Sequence, residues 1–143
     1  ERCDNMANFL TAPIQNVSKT AKPKITQTYA LDFNEHRMTA RKIDGIEAIN
    51  QYIRKALMTP RYKCLIYSSS YGSGIKQLMT NSPSKKYVEA SIEHIVEDAI
   101  IHNPQILSIS NFEYETEDDN MIISFNVMTI YGDLQVKEVY TGV

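Results

Sequence analysis

Apolar and polar positions change their spacing several times along the chain, and each change predicts an element. Residues 1–26 keep no sustained period and hold Pro13 and Pro23 among many small polar residues. They read as an extended N-terminal arm, either ordered against a partner or frayed. Thr28 to Phe33 predicts a short strand, Asn34-Glu35-His36 a turn, and Met38 to Ile43 a returning strand, together a hairpin. Ile46, Ile49, Ile53, Ala56 and Leu57 then recur at helical spacing, predicting a helix over residues 45–58. Asp44 stands at its N-cap position with Glu47 three residues on, the pattern of a capping box. Thr59-Pro60 ends it, because the residue before a proline disfavours the α region.

Leu65-Ile66-Tyr67 is a short apolar run leading into a loop over Ser68 to Gly74. Ile75 to Met79 predicts one helical turn. Asn81-Ser82-Pro83-Ser84 is a break, with Ser84 as the expected cap of a second long helix over 85–102. Val88, Ile92, Ile95, Ala99 and His102 form its stripe, widened by Val96 and Ile100. Glu89, Glu93 and Glu97 fall on the other side, facing solvent or a partner's basic surface. Asn103-Pro104 closes this helix, and three strands follow. Ile106 to Glu115 alternates with Ile109, Asn111 and Glu113 opposite Phe112 and Tyr114. Glu117-Asp118-Asp119-Asn120 is a polar turn. Met121 to Tyr131 sets Ile123, Phe125, Val127 and Thr129 against Ile122, Ser124, Asn126 and Met128. Gly132-Asp133 predicts the reversal into a last strand over Leu134 to Tyr140.

This order keeps helices and antiparallel strands apart, which is the α+β pattern. The expected fold is a small antiparallel or mixed sheet packed against two main helices, with a C-terminal three-strand meander. Residues 27–143 form one domain behind the arm. Ile49, Ile53, Leu57, Ile92, Ile95 and Ala99 are its expected helix–sheet core.

Composition narrows the function classes. The chain has 143 residues, 43% hydrophobic and 22% charged, with a net charge of −2. One domain of this size buries one core. The charge balance gives no basic footprint for nucleic acid, and the densest basic run is Lys85-Lys86. No apolar run is long enough to span a bilayer, and no signal-peptide core opens the sequence. Cys3 and Cys64 are far apart and read as free thiols in a reducing compartment.

Enzyme and cofactor signatures fail when tested singly. Tyr71-Gly72-Ser73-Gly74-Ile75-Lys76 lacks the glycine-to-lysine spacing that wraps phosphates. His94, Glu97, Asp98 and His102 could offer ligands from one helix, but no second cluster completes a metal site. No serine or cysteine is placed beside a histidine as a nucleophile requires. Glu113, Glu115, Glu117, Asp118 and Asp119 sit on a strand end and a turn. A glycosidase needs one carboxyl raised in an apolar pocket and a second opposite it. The chain also has no tryptophan to stack a sugar. No cofactor and no metal are expected.

Residues 45–74 carry a more specific signal. A helix with Ala48, Gln51 and Leu57 exits through Thr59-Pro60-Arg61 and is followed by Tyr71-Gly72, a long helix, and Asn103-Pro104 leading into a meander. Over about residues 28–139 this order resembles the sheath-initiator family of contractile-tail baseplates, closest to its prophage and tail-like bacteriocin branch. The resemblance implies a non-enzymatic baseplate protein, present in several copies and assembled in the bacterial cytoplasm into a phage tail or tail-like particle. Its implied partners are the tail sheath protein, baseplate wedge proteins and possible tube or hub proteins, with no nucleic acid and no membrane. The family offers a sheet edge to sheath strands, which on this chain points to the strands Met121 to Tyr131 and Leu134 to Tyr140, with Val136, Lys137, Val139 and Tyr140 as the contact residues. The same strand could equally be an ordinary edge guarded by Lys137 and Glu138. Many members carry Glu-Pro-Arg where this chain has Asn103-Pro104-Gln105, a tripeptide implied to meet the wedge bundle, so both charges are absent here. The resemblance leaves two rivals: a tail-lysozyme activity, and a binding module like a bacterial anti-adaptor that shares the small fold.

Overall fold

A computed structural model describes residues 27–81, 84–117 and 120–141. The N-terminal arm, Cys3, Asp118 and Asp119 lie outside them. The elements run β1 (Thr28–Asp32), β2 (Arg37–Ile43), α1 (Gly45–Met58), α2 (Ile75–Thr80), α3 (Lys85–Ile100), β3 (Ile106–Glu117), β4 (Asn120–Thr129) and β5 (Gly132–Thr141). β1 and β2 form an antiparallel hairpin, and β3-β4-β5 form an antiparallel meander. The fold is α+β, with two separate small sheets.

The main core lies between the helices and one face of the meander. Ile49, Ile53, Ala56 and Leu57 of α1 meet Ile92, Val96, Ala99 and Ile100 of α3 over Met121, Ile123, Phe125, Val127 and Val136. Ala30, Ile43 and Ala48 make a smaller cluster under the hairpin. Two positions of the predicted stripes sit off these faces. Ile46 is exposed, in the first turn of α1, and Ile95 is only partly buried. The buried stripe of α3 runs through Ile92, Val96, Ala99 and Ile100, so the helix is rotated from the expected Val88–Ile95–His102 line. His102 lies beyond the helix end and is exposed.

Neither predicted side-chain cap forms. Gly45 takes φ +54°, so α1 starts from a left-handed residue after an extended Asp44. Glu47 instead accepts hydrogen bonds from both terminal nitrogens of Arg41 on β2, at 2.5 and 3.3 Å. A charge-assisted forked pair outcompetes a single backbone donor. At Ser84 the main-chain carbonyl accepts from the N–H groups of Tyr87 and Val88, without help from the hydroxyl.

The first strand of the meander departs from plain alternation. Its register against β4 shifts between Ile106 and Ser108, and again between Ser110 and Glu113. Each shift places an extra residue on β3, and Asn111 adopts φ +51° in the second. A bulge changes which face the following residues take. That is why Ile106, Ile109, Phe112 and Tyr114 all contribute to the core side despite the odd steps between the first three. The rings of Phe112 and Phe125 stack with centroids 6.2 Å apart. Ile109 therefore does not oppose Phe112. The reversal into β5 also falls earlier than expected, at Ile130-Tyr131, with Gly132 already paired to Thr129.

Candidate partner-binding edge and corner

Among the described residues, β5 pairs with β4 on one side and with no strand on the other. Its register with β4 runs unbroken from Gly132↔Thr129 to Thr141↔Asn120. β3, at the opposite edge, is bulged twice. Bulges bend a strand and interrupt its ladder. The free side of β1 is partly taken: the Gln51 amide donates to the Tyr29 carbonyl at 2.9 Å and accepts the Leu31 N–H at 2.7 Å. β5 is thus the long, regular edge. The central strand β4 presents no edge, so the expectation that residues 121–131 share in offering one is corrected.

The predicted edge residues divide between two faces, as a period of two requires. Val136 and Tyr140 lie on the core side, opposite Phe125 and Met121. Lys137 and Val139 lie on the outer side. Val136 is 3% exposed and Val139 is 54% exposed. Glu138, between them, points to the core side. Its carboxylate meets Arg54 of α1 at 3.1 Å, and Arg54 also lies 4.7 Å from the Phe33 ring centroid. Burial pushes the Glu138 carboxyl above its ordinary value, and Arg54 partly offsets this. An inward charge is one device that discourages stray pairing at an edge. Here Arg54 neutralises it. The Tyr140 hydroxyl is buried without a hydrogen-bond partner, and burial pushes its phenol well up.

Asn103, Pro104 and Gln105 form the tight corner between α3 and β3. The Asn103 side chain accepts the Gln105 N–H at 3.0 Å, and its carbonyl accepts the Ile106 N–H at 3.0 Å. Gln105 is buried. Its carbonyl accepts the Ile130 N–H at 3.1 Å, and its amide donates to the Tyr131 hydroxyl at 3.3 Å. Gln105 therefore ties the corner to the β4–β5 turn. Pro104 is exposed and Asn103 half-buried. The corner lies beside the start of β5, whereas Tyr140 lies near its far end, roughly 25 Å away at strand rise. Corner and distal edge are two places on one sheet.

The Thr59-Pro60-Arg61 and Tyr71-Gly72 motifs meet each other. Arg61 N–H donates to Ser73 O at 3.0 Å, and Ser73 N–H donates to Thr59 O at 2.9 Å. The Ser73 hydroxyl donates to Leu57 O at 2.6 Å. Arg61 also donates to Gly72 O at 3.0 Å, to Asp98 O at 3.1 Å and to the Asp98 carboxylate. Gly72 has φ +95°, and a Cβ there would lie 2.7 Å from Thr59 O. These residues form a clasp that closes the loop 61–72 and pins it to α3. Beyond it, Leu65 is 100% and Ile66 86% exposed, so that apolar run packs into no core.

Of the carboxylates weighed as catalytic candidates, Glu113, Glu115 and Glu117 are exposed. Glu113 accepts from the Ser124 hydroxyl at 3.5 Å on the exposed side of the sheet. Glu115 and Glu117, with Glu89 and Lys85, border an open depression of about 400 Å³. His94 stands by Asp98, whose carboxylate also lies 3.7 Å from His102. Among the described residues no group of three or more His, Cys, Asp or Glu could hold a metal ion.

Sequence reasoning missed a groove of about 540 Å³ between the last turn of α1, α2 and the end of β5. Its signal is one of charge: from Ala48 to Val88 the sequence contains no Asp or Glu.

Comparison with known proteins gives three concordant findings. The family model for the contractile injection system sheath initiator matches residues 27–132. The phage-like element PBSX protein XkdS of Bacillus subtilis is 35% identical over 115 residues, covering 80% of this chain and 82% of that one. A crystal structure from Geobacter sulfurreducens, provisionally described as a tail lysozyme, superposes with a TM-score of 0.56. It is 16% identical and covers 81% of this chain and 97% of its own, a likeness of fold.

Proposed function

Because this chain belongs to the contractile injection system sheath initiator family, we propose that it starts the sheath by lending the free edge of β5 to a strand of the first sheath subunits. Its role is structural: it is a baseplate component of a phage tail or tail-like particle and associates with sheath and baseplate proteins. The observation that carries the strand-addition mechanism is the unbroken register of β5 against β4 beside an unpaired outer side. Unpaired N–H and C=O groups along such an edge template an incoming strand, and main-chain bonds supply much of its affinity. Lys137 and Val139 stand on the outer face, where the added strand continues the sheet. Val136 and Tyr140 hold β5 on the core. Asn103 and Pro104 at the corner offer a second contact to the wedge proteins, through shape and polar groups in place of paired charges. The particle assembles in the bacterial cytoplasm from several copies of the chain.

Proline at Val139 tests the mechanism. Val139 is outward and half exposed, so the substitution spares the core while removing a backbone N–H and resisting extended pairing geometry. Val139→Pro, co-expressed with the remaining tail genes, should yield baseplates that incorporate the variant but carry few sheaths. Val139→Thr should sheath normally. Full sheathing of Val139→Pro baseplates would move the joint away from β5.

We also propose that the chain is not a hydrolase. Glu89, Glu115 and Glu117 border a shallow, open depression, whereas a glycosidase acid needs an apolar pocket that keeps it protonated. Purified protein should leave peptidoglycan intact. Clearing of peptidoglycan that is abolished by Glu115→Gln would refute this.

A further inference from the structure

The groove between the last turn of α1, α2 and the end of β5 combines an apolar floor with a net positive rim, the Glu138 carboxylate in its lining being paired to Arg54. Leu57, Met58 and Met79 supply the apolar surface, and Lys76 stands on its rim. Lys76 also borders an adjoining groove of about 680 Å³ that contains Lys63. The segment from Ala48 to Asn81, which supplies the helical walls of both grooves, carries Arg54, Lys55, Arg61, Lys63 and Lys76 without a single acid. Two carboxylates from other elements come close, and both are occupied. Asp98 is held by Arg61, and Glu138 by Arg54. Lys55 lies over the Tyr67 and Tyr71 rings. Lys63 and Lys76 pair with no carboxylate among the described residues. Acids concentrate elsewhere, on the outer side of α3 and the end of β3. A protein of net charge −2 therefore presents one local face that is apolar and positive.

Charge complementarity selects an acidic occupant, and the apolar floor selects one with hydrophobic side chains. Methionine side chains adapt to the shape of what they bind, and Met58 is 52% exposed. A nucleic acid would find phosphate partners but no use for Leu57, Met58 and Met79. We propose that this groove binds an extended acidic segment of another protein chain in the particle. An apolar side chain of that segment rests on Met58 and Met79, and a carboxylate beside it pairs with Lys76. The contact works through side chains, so it stands whether or not the same segment also adds to the β5 edge. It fixes which segment is accepted, a choice that main-chain pairing alone leaves open.

Photocrosslinking in assembled particles tests this. p-Benzoylphenylalanine replaces Met58 or Thr80 in the groove, or the exposed Gln135 on β5 away from it, with the remaining tail proteins unaltered. The crosslinked peptides are identified by mass spectrometry. Met58 and Thr80 should trap one segment of another protein, with Asp or Glu within a few residues of the trapped apolar side chain. Lys76→Glu should cut that crosslink by about tenfold or more, and Lys76→Arg should retain it, as expected for a charge pair at an interface. A reciprocal Glu→Lys change in the trapped segment should restore the yield with Lys76→Glu. Crosslinks from Gln135 alone would overturn the groove while leaving the edge intact. Crosslinks from Met58 and Thr80 without Gln135 would support the groove and count against the edge. A trapped segment without acids, a trapped nucleic acid, or a yield insensitive to Lys76→Glu would each refute the inference.

Discussion

A few side chains settle how the halves of the molecule are joined. Ile92 is fully buried between α1 and the meander. Shortening it removes transfer energy and leaves a cavity in a packed interior. Ile92→Ala should cost about 2–5 kcal/mol in urea denaturation. A loss below about 0.5 kcal/mol would mean that the buried face of α3 is wrongly assigned. Its neighbours show how far residue-scale inference reaches. Helical spacing identifies Ile49, Ile53, Leu57, Ile92 and Ala99 correctly, because burial follows the 3.6-residue period. It misplaces Ile46 and over-weights Ile95, since a stripe several residues wide does not say which of its sides faces the sheet. Asp44 and Glu47 match a capping box in sequence, yet Arg41 claims Glu47 from a strand that local pattern cannot see.

At the scale of elements, boundaries were legible where punctuation is strong. α1 ends before Pro60 and α3 before the Asn103-Pro104 corner, because proline restricts its own φ and the residue before it. β3 was legible in extent but not in facing, because bulges are set by pairing with β4. Its odd apolar steps, from Ile106 to Ile109 and on to Phe112, were the available sign. Thr59-Pro60-Arg61 and Tyr71-Gly72 were readable as motifs, but their meeting in a clasp needed the fold. The clasp makes a pH prediction. The Arg61 hydrogen bond, foremost, holds the Asp98 carboxyl below its ordinary value of 3.8. A lowered native value means the ionised form favours the fold. That stability is present above the ordinary value and is lost as pH falls through the native one. Asp98 is partly exposed, so the neutral-pH contribution is about 1 kcal/mol. Asp98→Asn should be less stable than the parent at neutral pH, and the gap should shrink on acidification below 3.8. A gap that is constant with pH would show that the pair contributes nothing through charge.

For the molecule as a whole, a three-strand meander leaves two edges, and the bulges of β3 make them unequal. The sequence carried enough to anticipate the α+β class, the meander and the family. The residues proposed for that edge differ in facing, which the spacing alone did not assign: Val136 supports the strand from within, while Val139 stands outward. The groove beside α2 escaped because it is assembled from α1, α2 and β5, which are distant in sequence. Its charge was visible only as an absence of acids. β5 is the proposed edge on which the sheath begins. Cryo-electron microscopy of the baseplate–sheath joint tests it most directly. A strand of the first sheath subunit should lie hydrogen-bonded along β5, in a ladder spanning Gln135 to Thr141. A joint in which that edge stays unpaired, while the sheath chain meets β3 or the β1–β2 hairpin, would contradict it.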